Sequence, residues 1–279
     1  MLTDVAGVRV GHWTDTAAET GCTAVLFPAG TVASGEVRGG APATREMDLL
    51  APHRRVSRID AVMLSGGSAF GLAACDGAMQ FCEERGLGHP TLAGPVPIVV
   101  GLAIFDLIGG DPKVRPDAAA GRAACEAAAA GAHPTGNVGA GCGARLGFRR
   151  EHVGGLGAAT ERASDLVVSA LMVVNAAGYL ASDGPAELAG FDPDAAPVAG
   201  QQTVIGVVAT NATLSKVDCL HVAGGGHDGI ARAIDPPHTS VDGDAVVAAA
   251  TGEVRAPADV VRALAVRAVE AAITAAVGR

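Results

Sequence analysis

The core of this chain has to be built almost without aromatic rings. Aromatic residues make up 3% of the sequence, whereas glycine occurs 39 times among 279 residues. Alanine, valine, leucine and isoleucine must therefore fill the interior, and glycine allows backbones to approach one another closely. Tightly stacked layers of sheet and helix suit such a composition, so the sequence predicts a layered α/β protein.

Predicted strands and helices alternate only in part along the chain. Apolar runs bounded by glycine or turn residues predict strands at 8–13, 23–27, 61–65, 98–102, 140–147, 166–175, 203–210 and 245–251. Amphipathic or alanine-rich stretches predict helices at 68–85, 116–130, 214–234 and 258–277, with glycines 224–226 as a point where the third can break. Strands cluster in 140–176 without an intervening helix. This order argues against a doubly wound nucleotide-binding fold and for sheets stacked between helical layers.

Charge and composition exclude several classes of partner. The net charge is −9 and no basic stretch is longer than Arg149-Arg150, which argues against nucleic acid and anionic membrane surfaces. The N-terminus has no signal-peptide pattern, and the apolar runs are too short or too interrupted to span a bilayer. Six scattered cysteines without a Cys-x-x-Cys pair are typical of buried thiols in a reducing cytoplasm. We therefore expect one cytoplasmic domain over residues 1–279, with no metal and no cofactor.

Thr203 opens the β-branched run 203–210, directly after a segment rich in proline, glycine and glutamine. Residues 181–200 are predicted to form an exposed loop, where a chain is readily cleaved. If the bond before Thr203 were cut, this residue would carry a hydroxyl nucleophile and a free α-amine to act as its general base. A threonine at the start of a strand is also simply a good β-former. Both interpretations stay open on the residues alone.

Asn175 and two aspartates are further candidates for chemistry. Asn175 ends an apolar run, where its carboxamide either satisfies a backbone group or points at a developing oxyanion. Asp242 and Asp244 flank a glycine soon after a His-Thr pair. They form either a close acidic pair, whose members raise one another's pKa, or an ordinary turn at the solvent.

Two glycine-rich stretches are predicted to border a substrate pocket. Ser65-Gly66-Gly67-Ser68 joins a predicted strand to a predicted helix. It lacks both the Gly-x-Gly-x-x-Gly spacing and the lysine of phosphate-binding loops, so a tight turn is favoured over a phosphate site. Asn137 lies in the segment GNVGAGCG, whose glycine density indicates a bulge or a close approach by another group.

The order of these motifs resembles that of the L-aminopeptidase/D-esterase family of peptidases, peptidase family S58. This family includes the β-peptidyl aminopeptidases, with the nylon-oligomer hydrolases as close relatives. The matching segments are GVRVGH at 7–12, SGGSAFGL at 65–72, GNVGAG at 136–141, VVNA at 173–176, TVIGVVATNA at 203–212 and HTSVDGD at 238–244. Each motif alone is weak, whereas their joint order over nearly the whole chain is specific.

The resemblance implies a four-layer α/β/β/α sandwich like that of the N-terminal-nucleophile hydrolases, with different connectivity. It also implies self-cleavage between Gln202 and Thr203, giving a long chain (1–202) and a short chain (203–279) that stay associated. The activity it implies is hydrolysis of amide or ester bonds in small peptides or aminoacyl compounds, of the aminopeptidase type. Relatives are usually tetramers, so a homotetramer is expected.

Site residues follow from the same resemblance. By motif position Thr203 is the nucleophile and Asn175 the oxyanion donor, while Asp242 and Asp244 match the acidic pair of the nylon-hydrolase branch. Two positions depart from the family pattern. Gln202 stands where asparagine often precedes the cleaved bond, and Phe148 stands where a lysine is common. Loss of that amine removes a group that tunes the nucleophile, which predicts slow or absent processing.

Two other functions remain open at this stage. An ornithine acetyltransferase-like enzyme has a related fold and a threonine nucleophile, and it transfers an acetyl group to an amino acid rather than to water. The second alternative is an unprocessed, non-catalytic member that binds a ligand. The departures at Gln202 and Phe148 favour this second alternative.

Overall fold

The computed structural model describes residues 1–184 and 202–277, so the predicted loop at 181–200 lies largely outside the described residues. Within these ranges the α-helices are α1 (Ala74–Glu83), α2 (Ala118–Glu126), α3 (Lys216–Ala233) and α4 (Ala258–Ala276). The strands in chain order are β1 (Arg9–Asp15), β2 (Thr20–Leu26), β3 (Val32–Val37), β4 (Thr44–Arg45), β5 (Ala61–Ser65), β6 (His89–Thr91), β7 (Gly94–Val96), β8 (Val99–Ala103), β9 (Arg145–Leu146), β10 (His152–Val153), β11 (Gly155–Ala163), β12 (Leu166–Asn175), β13 (Tyr179–Leu180), β14 (Thr203–Ala212), β15 (Ile234–Asp235) and β16 (Ala245–Val254). Short 3₁₀ turns lie at Leu2–Asp4, Met47–Leu50, Ser68–Ala73, Gly139–Gly141 and Ala181–Asp183.

The fold is built around two five-stranded sheets. The first sheet has the order β1-β2-β5-β8-β4 and the second the order β11-β12-β14-β16-β3. Each contains one parallel pair, β5 with β8 and β14 with β16, and its other neighbours are antiparallel. Strand β3 comes from the N-terminal part of the chain, yet it completes the second sheet beside β16. The two sheets are therefore joined through the chain as well as through their packing.

Three apolar clusters separate four layers. One cluster lies between the first sheet and helices α1 and α2, a second lies between the two sheets, and a third lies between the second sheet and helices α3 and α4. Alternate side chains of a strand point to opposite faces of its sheet. In β12, Val174 faces the helices whereas Val173 faces the other sheet. The predicted α/β/β/α sandwich is confirmed.

Helix α3 runs without a break through the three glycines at 224–226, so the predicted interruption is wrong. It begins after Ser215, whose hydroxyl accepts the Asp218 N–H while the Asp218 carboxylate accepts the Ser215 N–H. The glycines serve close packing: a Cβ on Gly226 would lie 2.8 Å from Val246 Cγ1, and one on Gly229 would lie 2.6 Å from the Val266 carbonyl oxygen. The local cost of glycine in a helix is therefore offset by contact with the sheet and with α4.

The predicted strand at 140–147 is also wrong for most of its length. Residues 139–141 form a 3₁₀ turn, and only Arg145–Leu146 is a strand, paired with His152–Val153. This segment is packed too tightly for a regular ladder, since a Cβ on Gly143 would lie 2.0 Å from the Glu19 carbonyl oxygen. Ala140 and Ala144 of this segment belong to the apolar cluster between the two sheets rather than to a strand. No helix in the described residues is long and apolar enough to cross a membrane.

Candidate active site

Thr203 and Asn175 face each other across adjacent strands at one end of the second sheet. The antiparallel register pairs Asn175 of β12 with Thr203 of β14. Directly paired residues project to the same side of a sheet, and Val173 and Ile205, two residues along each strand, belong to the cluster between the sheets. Thr203 is 4% exposed and Asn175 is fully buried. The structure therefore brings these two predicted site residues together between the sheets.

The peptide bond before Thr203 is held by several donors. The Thr203 hydroxyl donates a hydrogen bond to the Gln202 carbonyl oxygen, which also accepts the Gly243 N–H at 3.0 Å. One residue further on, the Val204 N–H donates to Asp244 Oδ1 at 2.7 Å. Gln202 also forms a parallel bridge with Asp242. The segment 202–204 therefore lies alongside 242–244, and the carbonyl next to the hydroxyl is polarised by a backbone donor.

Asp242 and Asp244 form a buried pair rather than a turn at the solvent. Asp242 Oδ1 accepts the Ala177 N–H at 3.1 Å, and its Oδ2 accepts the N–H and the hydroxyl of Thr239 at 2.8 and 2.5 Å. Burial raises the pKa of Asp242, and the neighbouring Asp244 charge raises it further. These donors fix the Asp242 carboxylate beside the Gln202–Thr203 bond, and the Val204 N–H holds that of Asp244.

Two histidines to which the sequence gave no role, His227 and His238, form a pair beside Asp244. His238 Nδ1 lies 2.7 Å from Asp244 Oδ2, and its ring packs edge-on against His227 with centroids 5.0 Å apart. His227 is fully buried, and its Nε2 lies 3.0 Å from the Glu36 carbonyl oxygen. Asp228 instead pairs with Arg262 and Arg38, so neighbouring His227 and Asp228 do not form a dyad.

Buried His227 is expected to make the free energy of unfolding depend on pH. Burial lowers its pKa from 6.5 to about 4, so the unfolded chain takes up a proton between these values that the folded chain does not. The free energy of unfolding should therefore fall as the pH is lowered from 6.5 to 4, by up to about 3 kcal/mol from this residue. Urea unfolding at pH 7 and 4.5 measures the loss. His227→Gln keeps a donor for Glu36 and does not titrate, so it should lose less; an equal loss in both proteins would contradict this.

The Asn175 carboxamide is oriented by the chain around it. Its Oδ1 accepts the Arg145 N–H at 2.9 Å, and its Nδ2 donates to the Phe105 carbonyl oxygen at 3.3 Å. The Arg150 guanidinium donates to the same Phe105 oxygen at 3.2 Å. Burial lowers the pKa of Arg150, and the positive charge of Arg145 lowers it further. A cation therefore lies beside the candidate oxyanion donor.

Phe148, at the position where the resemblance expects lysine, lies away from these contacts. Its ring is 40% exposed and packs edge-on against Tyr179, with centroids 5.8 Å apart. The cation near Asn175 is Arg150, two residues further along, and the sequence offered only the Arg-Arg pair as a signal. Lys216 is not a substitute, because its Nζ donates to the carbonyl oxygens of Leu49, Arg54 and Val56.

The predicted pocket turn at 65–68 is filled by a carboxylate of the chain itself. Asp106 Oδ1 accepts the Gly67 N–H at 2.6 Å and Oδ2 accepts the Thr20 hydroxyl at 2.7 Å. A Cβ on Gly66 would lie 2.0 Å from Asp106 Oδ2. The turn is therefore not a phosphate loop. It packs against segment 104–106, since the Ser68 N–H donates to the Ile104 carbonyl oxygen, and Phe105 in that segment contacts Asn175.

Two further residues predicted to line the pocket, Ser65 and Asn137, differ from each other in burial and in hydrogen-bond partner. The Ser65 hydroxyl donates to the Gly66 carbonyl oxygen and is buried. Asn137 is exposed, and its amide donates to the Gly154 carbonyl oxygen at 3.1 Å. That these residues line a substrate pocket stays a prediction.

A cavity of about 400 Å³ lies beside β9 and β13, lined by Leu146, Glu151, His152, Val153, Tyr179, Leu180, Asp183 and Val277. In residues 1–184 and 202–277, no three His, Cys, Asp or Glu side chains are grouped to hold a metal ion.

Comparison with known proteins gives matches along the whole chain. A family model described as peptidase family S58 matches residues 1–279. An uncharacterized aminopeptidase of Mycobacterium leprae is 44% identical, over 92% of this chain and 80% of the relative. A 6-aminohexanoate-oligomer endohydrolase of Paenarthrobacter ureafaciens is 32% identical, over 91% of this chain and 76% of the relative. These relatives give no support to the acetyltransferase-like alternative.

Solved structures share the fold. An L-aminopeptidase D-Ala-esterase/amidase from Ochrobactrum anthropi, described as a variant of the Ntn-hydrolase fold, superposes with a TM-score of 0.78 at 20% identity, covering 99% of this chain and 85% of its own. A beta-aminopeptidase from Burkholderia sp. superposes with a TM-score of 0.75 at 24% identity, with the same coverage. At these identities the likeness concerns the fold, and it confirms the predicted fold class.

Proposed function

The chain belongs to peptidase family S58 and is an aminopeptidase-type hydrolase, and on that premise we propose that it cuts itself between Gln202 and Thr203 and then uses Thr203 as an N-terminal nucleophile. Its substrates are amides or esters of small peptides or aminoacyl compounds. One observation carries the proposal. The buried Thr203 hydroxyl contacts the carbonyl oxygen of the preceding residue, Gln202, and the Gly243 N–H donates a hydrogen bond to that same oxygen.

Self-cleavage begins with attack of Thr203 Oγ on the Gln202 carbonyl carbon. Negative charge develops on the carbonyl oxygen, where the Gly243 N–H stabilises it. The C–N bond breaks, the proton of the Thr203 hydroxyl passes to the Thr203 nitrogen, which becomes an amine, and Gln202 is left as an ester on Oγ. Water then attacks this ester, freeing the Gln202 carboxylate and the Thr203 hydroxyl.

Turnover repeats the same chemistry on a substrate. The α-amine of the new terminus accepts the proton of its own hydroxyl as Oγ attacks the substrate carbonyl. Asn175, with the Gly243 N–H, is the candidate oxyanion donor, and one such donor contributes about 3–4 kcal/mol. Asp242 and Asp244, fixed beside residues 202–204, hold the Thr203 ammonium or a free amine of the substrate.

Intact mass spectrometry of the purified chain tests this function. A chain of 27.4 kDa should give way with time to fragments of ~20 and ~8 kDa. Edman sequencing of the smaller fragment should begin at Thr203, and hydrolysis of aminoacyl p-nitroanilides or a 6-aminohexanoate oligomer should rise in parallel. A single mass after long incubation, without hydrolysis of any acyl compound offered, would overturn the proposal in favour of the ligand-binding alternative.

The resemblance to the family also leads us to propose a cytoplasmic homotetramer. Light scattering coupled to size-exclusion chromatography measures the assembly before and after cleavage. A mass of one chain at micromolar concentration would contradict the tetramer.

His238 is expected to act as a positioning residue through Asp244. His238→Ala leaves Asp244 Oδ2 without its partner, so self-cleavage and kcat should each fall by about 10-fold or more. His238→Asn places an amide donor near the position of Nδ1 and should recover much of the rate. His53→Ala, at an exposed histidine, is the control. Wild-type rates in His238→Ala, or no recovery in a folded His238→Asn protein, would contradict this role.

A further inference from the structure

The side chain of Gln202 is buried in a site of its own. Gln202 is 5% exposed, and its Nε2 donates to the Gly147 carbonyl oxygen at 2.6 Å. Glutamine side chains are mostly exposed in folded proteins. The residue before the proposed cleavage point is therefore recognised by the fold, through a space two methylenes deep that ends in a backbone acceptor.

The acceptor at the end of this space is held in place. The Gly147 N–H donates to the carbonyl oxygens of Ala176 and Gly178 at 3.1 and 3.3 Å, one and three residues after Asn175 in the chain. Gly147 has a φ of +89°, and a Cβ there would lie 2.8 Å from Tyr179 Cε1. Asn175 is oriented by the same segment, because its Oδ1 accepts the Arg145 N–H. The positions of the Gly147 acceptor and of the Asn175 carboxamide are therefore set together.

Self-cleavage and turnover place an acyl residue on the same atom. In self-cleavage the ester joins the Gln202 carbonyl carbon to Thr203 Oγ, and in turnover it joins the carbonyl carbon of the substrate to that oxygen. The pairing of β14 with β12 fixes where Oγ lies. The side chain of either acyl residue therefore begins from the same point, and hydrolysis of the first ester releases the Gln202 carboxyl end from it.

We propose that the space filled by Gln202 becomes the acyl-side pocket of the mature enzyme, which selects amides and esters of glutamine and of similar acyl residues ending in an N–H donor. This inference rests on the proposed self-cleavage. A glutamate side chain of equal length would turn an oxygen toward the Gly147 carbonyl oxygen, and methionine would bring no donor. An unpaired buried acceptor of this kind lowers kcat/KM by about 10- to 100-fold.

The p-nitroanilides of glutamine, glutamate and methionine test the pocket, because their acyl side chains have similar lengths. The enzyme is used after intact mass has confirmed cleavage, at pH 7 and at equal concentrations of the short chain. Glutamine p-nitroanilide should have a kcat/KM about 10-fold or more above the other two. A cleaved enzyme with equal kcat/KM for all three overturns the pocket alone. A chain that is never cleaved overturns self-cleavage, and the pocket with it.

Two sets of variants give independent readouts. Gln202→Glu and Gln202→Met should slow self-cleavage by about 10-fold, as the corresponding substrates slow turnover. Gly147→Ala puts a Cβ 2.6 Å from Glu151 Oε2 and 2.8 Å from Tyr179 Cε1, whereas its φ of +89° is close to that of the control below. If the turn that carries the acceptor shifts to relieve these contacts, the ratio of glutamine to glutamate kcat/KM should fall toward one. Gly131→Ala is the matched control, because its φ is +96° and an added Cβ meets nothing within 4 Å. Wild-type self-cleavage rates in both Gln202 variants would overturn the proposal.

Discussion

Thr203→Ala is expected to remain one chain of 27.4 kDa and to lose hydrolysis of every acyl substrate. Without Oγ no ester can form with Gln202, so the bond stays intact and no free α-amine appears next to β14. The activity should fall by about 10³-fold or more, because nucleophile and general base are lost together. Intact mass and p-nitroanilide hydrolysis measure both effects on the same sample.

Two conservative variants separate chemistry from folding. Thr203→Val keeps the β-branched shape of a residue that is 4% exposed and removes a hydroxyl whose bond is to the adjacent Gln202 carbonyl oxygen, so it should still fold and stay uncleaved. Thr203→Ser keeps the hydroxyl and should split at the same bond. Cleavage at 202–203 in the valine or alanine variant would assign the reaction to another group. Failure of the serine variant would instead mean that the methyl group is needed to orient Oγ.

The central strands of the second sheet could be predicted because burial on both faces leaves a continuous apolar run. Leu166–Asn175 was bounded correctly, and Thr203 was predicted correctly as the first residue of β14. Strand β11 was not predicted, because it lies at the sheet edge and combines glycine, alanine and exposed polar residues. Strand β3 was missed for the same reason. It is a strand because β16 supplies hydrogen-bond partners.

The sequence indicated the side chains of the candidate site, but not the backbone donors and acceptors that surround them. Thr203, Asn175, Asp242 and Asp244 are brought together as the motifs indicated. The Gly243 N–H and the carbonyl oxygens of Gly147 and Phe105 have no signature in the sequence, because every residue carries such groups. The pairing of segment 202–204 with 242–244 brings the Gly243 N–H to the reacting bond, whereas the turns after β9 and β8 place the two carbonyl oxygens. Arg150 was missed because its approach depends on the turn that follows β9.

Gly243→Ala should block self-cleavage more strongly than any other change outside Thr203. A Cβ at this position would lie 2.5 Å from the Ala41 carbonyl oxygen, 2.9 Å from Pro42 Cα and 3.0 Å from Thr203 Oγ1. Two of these atoms belong to backbone, which cannot turn aside as a flexible side chain does. Residues 242–244 must therefore shift, and the Gly243 N–H then moves away from the Gln202 carbonyl oxygen.

Loss of one oxyanion donor lowers a rate by about 10²–10³-fold, and crowding of Oγ adds to this effect. The time course of intact mass at fixed pH measures it. Gly224→Ala is the matched control, because its Cβ would meet only the ends of the Glu36 and Arg38 side chains, and it should split at the wild-type rate. A folded Gly243→Ala protein that cleaves as fast as this control would show that the oxyanion of self-cleavage is stabilised by other donors. Substitution of Asn175, on the adjacent strand β12, would then be the next test, because its carboxamide is the other candidate donor.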